Sequence, residues 1–134
     1  MKTEVGLLII LLFASLPFLA CENTVSGDGP IDVVFPDTNV SYGGQVQPLF
    51  DRGCSFLGCH SADEPADGLS LESYQDALSS KIGVILPRDT ANSRIIWRIE
   101  GTHGVRRMPL DRTPLNQNQI NGIRRWILEG ARNN

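Results

Sequence analysis

Cys54-Ser55-Phe56-Leu57-Gly58-Cys59-His60 places two thiols and an imidazole within seven residues, the densest set of soft and imidazole ligands in the chain. Covalent haem attachment needs two thiols, one for each vinyl group of the porphyrin, and a histidine directly after the second to reach the iron. Cys54, Cys59 and His60 stand in that order. The usual spacing puts two residues between the cysteines, whereas four stand here, so the connecting loop must bulge and a single bond through Cys59 is the alternative to two. Two other readings stand beside haem. A Cys54–Cys59 disulfide suits an oxidising compartment, but closing so short a loop removes little denatured-state entropy. A zinc site would have to recruit the distant His103 as its fourth ligand.

The remaining ligand inventory is short. Of 134 residues, three are Cys, two are His and two are Met, so little else could bind a metal. A net charge of −3 supplies no basic field, which excludes nucleic acid as a partner. Lys2 and the apolar run Val5 to Phe13, interrupted later by Pro17, read as a secretory leader too short to span a bilayer permanently. Phe18-Leu19-Ala20-Cys21 resembles the lipobox of bacterial lipoproteins, which implies cleavage after residue 20 and a diacylglyceryl anchor on Cys21. The expected location is exported, lipid-anchored to a bacterial membrane and facing the periplasm or exterior. Residues 21–43, rich in Gly, Pro, Asn and Asp, read as a tether, with packing of Ile31, Val33, Val34 and Phe35 on the domain as the alternative.

Residues 44–134 must then form the domain that positions the chemistry. A helix from about Gln45 to Gly53 presents Val46, Leu49 and Phe50 on one face and delivers the chain to Cys54. Ser73 caps a second short helix ending near Ser80, and Asn92 or Ser93 caps a third over 94–100, stopped by Gly101. Asn116 with Gln119 forms a capping-box variant for the last helix, whose Ile120, Ile123, Trp126 and Ile127 recur at helical spacing before Gly130. Arg124, Arg125 and Glu129 fall on its other face and read as solvent-exposed. No alternating strand pattern competes, so the fold class is all-α, short helices wrapped around a central group.

From about Val40 to Ala131 the chain resembles the small cytochrome c-like domains of bacterial lipoproteins and of planctomycete-type cytochromes. Val46-Gln47-Pro48-Leu49-Phe50, Gly68-Leu69-Ser70-Leu71, Asn92-Ser93-Arg94-Ile95, Met108-Pro109-Leu110 and Trp126-Ile127-Leu128-Glu129-Gly130-Ala131 carry the likeness in order. Arg88 after Pro87 departs from it, where the family commonly has Gly. The resemblance implies a cytochrome c-like fold around one covalently bound haem, with Met108 as sixth ligand opposite His60. Chemistry agrees with that role, since Met108 is the one methionine left once the leader is removed and a thioether favours ferrous iron. His103 is the rival ligand, and core filler is the bland reading of Met108.

Phe50, Leu69, Leu71, Trp97, Ile123 and Trp126 are expected to wall the haem, and Arg106 and Arg107 either pair with its propionates or are simply solvated. The function so implied is single-electron transfer to redox partner proteins at a membrane face, by a protein that is not itself an enzyme. With both axial positions taken, chemistry at the iron is disfavoured. A haem-based enzyme or sensor, and a haem-free module stapled by a disulfide, are the alternatives.

Overall fold

The structure is a computed structural model that describes residues 31–79 and 83–134. The leader, Cys21, the first part of the expected tether and Ser80 lie outside the described residues.

A π-helical turn at Tyr42–Val46 runs directly into α1, Gln47–Gly53, so the entry helix begins a few residues earlier than its apolar spacing implies. Pro48 sits in the first turn of α1, where its missing N–H costs nothing. A single 3₁₀ turn, Ala66–Gly68, precedes α2, Tyr74–Leu78, whose cap Ser73 accepts from the Asp76 N–H as expected. α3 spans Arg94–Glu100 and α4 spans Gln117–Leu128. Among the described residues there are helices and no strands, in keeping with the all-α reading.

Two punctuation signals act as read. Gly101 ends α3 at φ +69°, and an added Cβ there would lie 2.9 Å from that of Arg107. Asn116 and Gln119 complete a reciprocal capping box at the start of α4. Ser93 behaves differently. It occupies the N-cap position of α3 without capping it, because its fully buried hydroxyl turns back, accepting from the Leu86 N–H at 2.9 Å and donating to the Asp89 carbonyl at 2.6 Å. Arg88 adopts φ +66°, the left-handed conformation that Gly takes most readily.

Residues 31–43 are packed on the domain instead of hanging from it, so the boundary expected at 43/44 moves back at least to Ile31. Val33, Phe35, Val40 and Tyr42 are buried. The reason lies on α4, whose polar side supplies hydrogen bonds to this strap. Asn118 both donates to and accepts from the Phe35 backbone, and Gln119 Nε2 donates to the Ile31 carbonyl at 2.7 Å. Glu129, expected in solvent, accepts from the N–H groups of Asn39 and Val40 at 2.8 and 2.9 Å. Arg124, also expected in solvent, pairs with Glu100 of α3 at 2.5 Å. Phe35 fills a notch that exists because residue 122 is Gly, since a Cβ there would lie 2.0 Å from the Phe35 ring. Gly122→Ala is therefore expected to destabilise the domain by about 1–3 kcal/mol. That lowers Tm by roughly 4–8 °C per kcal/mol in a domain of this size, and the loss should shrink in the Gly122→Ala/Phe35→Ala pair. Ser93→Ala strands the part-buried Leu86 N–H and Asp89 carbonyl and should cost about 1–3 kcal/mol in thermal or urea unfolding.

Candidate functional site

Between α1, α3, α4 and the loops that carry His60 and Met108 lies a cavity of about 90 Å³. Its wall is almost wholly apolar, with Leu49 and Phe50 from α1, Leu69 and Leu71 after the 3₁₀ turn, Ile95 and Ile99 from α3 and Ile123 from α4. Cys54, His60 and Met108 all reach it. The same three residues also line a second hollow of about 90 Å³, on whose wall Cys59 stands. Thiols, imidazole and thioether, 54 residues apart from first to last, thus converge on one region.

Backbone bonds fix the approach of each. Cys54 ends α1, and its N–H, with that of Ser55, donates to the Phe50 carbonyl at 2.8 and 2.9 Å. The four intervening residues fold back on themselves: Cys59 N–H donates to Phe56 at 2.9 Å, and His60 N–H to the Cys54 carbonyl at 3.1 Å. The expected bulge is real. Gly58 takes φ +75°, and Leu57 is pushed out to 72% exposure at the tip.

His60 is held on three sides. Besides its N–H bond, its carbonyl accepts from the Leu71 N–H at 2.9 Å, and its ring Nδ1 lies 3.0 Å from the Leu69 carbonyl. A carbonyl can only accept, so Nδ1 carries the proton and Nε2 keeps its lone pair, the tautomer that a metal-ligating histidine needs. Met108 is fixed by its N–H, which donates to the Arg98 carbonyl at the end of α3 at 2.7 Å.

Cys54 and Cys59 are free thiols, not a disulfide. Burial, with Cys59 nearby, pushes the Cys54 thiol up to about 12, against the pull of Arg112. Burial therefore keeps this thiol protonated at neutral pH. Among the described residues, no group of three or more His, Cys, Asp or Glu side chains gathers as a metal site. His103, the rival ligand, stacks on Trp97 with ring centroids 4.5 Å apart and does not line the cavity.

Four expected wall residues, Phe50, Leu69, Leu71 and Ile123, line the cavity, and the two tryptophans do not. Trp97 faces away, donating to the Ala91 carbonyl, while Trp126 is fully buried behind α4 against Tyr42. Neither Arg106 nor Arg107 lines the cavity: Arg106 is exposed, and Arg107 donates to the carbonyls of Ile99 and Leu115. The arginines on the wall are Arg94 and Arg98, one turn apart on α3 beside Ile95 and Ile99. Their i, i+4 spacing was visible in the sequence, and ranking the faces of α3 would have found them. Arg112 was also missed. Its guanidinium lies 4.2 Å over the Phe56 ring, and one of its nitrogens is buried with no hydrogen-bond partner.

This donor set fits a haem. Neutral imidazole and thioether are ligands for iron of intermediate softness, the wall is mostly apolar, and the orphaned Arg112 nitrogen beside the Cys54–Cys59 loop is a buried polar group without a partner among the described residues. In the haem-free chain, Cys54 should be alkylated by iodoacetamide at pH 8 at least a hundredfold more slowly than after unfolding in urea. Because its folded value is raised, the contribution of Cys54 to stability is complete below about pH 8.5 and is lost as pH rises toward about 12. Cys54→Ala should flatten that alkaline decline in urea unfolding.

Residues 57–111 match the family model of the planctomycete cytochrome C. The match takes in Cys59, His60, Met108 and Pro109 and begins after Cys54. No curated protein and no solved structure matches the chain.

Proposed function

We infer, from a chain that carries a planctomycete-type cytochrome C-like domain, that it is a monohaem c-type cytochrome which passes single electrons between partners at an extracytoplasmic membrane face. One observation carries this reading: His60, with Nε2 left free by the Leu69 carbonyl, and Met108 line the same apolar cavity, with Cys54 at its edge.

Cys54 and Cys59 would hold the haem by thioether bonds, and His60 and Met108 would hold its iron. The haem supplies one-electron exchange between ferric and ferrous iron. The chain does the rest. The Leu69 carbonyl fixes the tautomer and orientation of the His60 ring, and the Met108 sulfur would favour the ferrous state. Leu49, Leu69, Leu71, Ile95, Ile99 and Ile123 keep water from the centre and so also disfavour the extra charge of the ferric state. Two side-chain ligands leave no position for a substrate, which supports an electron carrier over an enzyme. The leader and Cys21 support export and a lipid anchor, and redox proteins at that membrane face are the partners.

Co-expression with a cytochrome c maturation system should yield red protein whose haem survives acid-acetone extraction and gives a pyridine haemochrome of c type. Cys59→Ala should lose most of the covalent haem. Cys54→Ala should keep it and shift the haemochrome band to that of a single thioether if both bonds form in the unaltered protein. Met108→Ala should abolish the charge-transfer band of Met-ligated ferric haem. Haem fully extractable from the unaltered protein would overturn the reading.

A further inference from the structure

We propose that Arg94 and Arg98 form a paired guanidinium clamp for the two propionate carboxylates of the haem, an inference that rests on the cytochrome reading above. Both side chains stand on the wall of the apolar cavity, where the one other charged residue among those described is Asp67. Both are half-buried. Neither makes a salt bridge or a side-chain hydrogen bond with any described residue, Asp67 included, whereas Arg124 has Glu100 and Arg107 has two carbonyls. Two cations on a wall of Leu, Ile and Val lose hydration, which is costly unless an anion meets them.

The spacing says what kind of anion. Residues at i and i+4 on a helix hold their Cβ atoms about 5–6 Å apart on one face, so the ligand must carry two negative groups side by side. It must also be otherwise apolar, because Ile95 and Ile99 share that stripe of α3. A porphyrin bearing two carboxylates along one edge meets both conditions. Its orientation follows from the thiols, since vinyl and propionate groups occupy different pyrrole rings. Cys59 and Arg112 line the hollow beside the attachment loop, while Arg94 and Arg98 line only the apolar cavity. Cys59 thus stands apart from the two arginines, while Cys54 shares that cavity with them. Guanidinium forks match carboxylates in bidentate fashion and keep them ionised through neutral pH.

The test is a redox titration of the haem-loaded full-length protein from pH 5 to pH 9. In Arg94→Gln/Arg98→Gln the lost positive charge should favour ferric iron, lowering the ferrous-to-ferric ratio at fixed potential about tenfold at pH 7. The carboxylates, freed of their partners, should then titrate between about pH 5 and pH 8 and give the midpoint a pH slope that the unaltered protein lacks. Should the double variant accumulate no haem protein, Arg94→Gln and Arg98→Gln alone should each show part of the shift and slope. Arg106→Gln, on an exposed residue of the Met108 loop, should show neither. A double or single variant with full haem content and a titration indistinguishable from Arg106→Gln overturns the clamp. Absence of covalent haem from the unaltered protein would instead bring down the reading on which the clamp depends.

Discussion

Helices of five to twelve residues have little stability of their own, because nucleation consumes most of what their few hydrogen bonds return. The arrangement of this chain therefore depends on what the apolar sides of those helices close upon. On one side they close on each other through α4, whose Ile123, Trp126 and Ile127 are fully buried. On the other side they close on a cavity. Leu49 and Phe50 of α1, Ile95 and Ile99 of α3 and Ile123 of α4 all reach it, so a group seated there would join three helices that otherwise share few contacts. That is the help a small domain needs beyond its own core.

Position and chemistry are divided between backbone and side chain. His60 owes its place to bonds with Cys54, Leu69 and Leu71, and Met108 owes its place to the Arg98 carbonyl. None of these partners contributes a side-chain atom to the bond. The close passage of Arg107 over Gly101 depends likewise on a left-handed glycine at the end of α3. Substituting His60 or Met108 would remove the side chain proposed to bind iron and leave the loops in place, whereas disturbing the 3₁₀ turn or the end of α3 would misplace that side chain intact.

Local signals in the sequence translated well because they are self-contained. Ser73, Gly101 and the Asn116–Gln119 box bond within a few residues of themselves, so reading them needed no tertiary knowledge. The thiol and imidazole motif is equally local, and Met108 was reached through the family likeness. What escaped was long-range. Asn118, Gln119 and Glu129 sit on the polar side of α4, and polarity alone does not distinguish water from a distant backbone as the partner. Here the partners are 83 to 90 residues away. Trp97 and Trp126 failed as wall residues for the converse reason: apolar character says that a residue is covered, and leaves open by what.

Net charge conceals a division that matters at the site. Between Asp63 and Asp76 the chain carries five acids and no base, and this flank brings His60; between Arg94 and Arg112 it carries five arginines, and this flank brings Met108. Oxidation of a haem iron held there, as proposed, would add a positive charge between them, which the acids would favour and the arginines oppose. The two do not cancel. Asp63, Glu64, Asp67, Glu72 and Asp76 are all exposed, and exposed charges are screened over about 8 Å at physiological salt. Arg94 and Arg98 stand half-buried on an apolar wall, where the effective dielectric constant is nearer 20 than 80 and an unpaired charge acts several times more strongly. Their field would press any bound iron toward the ferrous state, in the same direction as the Met108 sulfur, unless carboxylates on the ligand itself neutralise them. A ligand that supplies those carboxylates thus also sets how much of the arginine field its own iron feels.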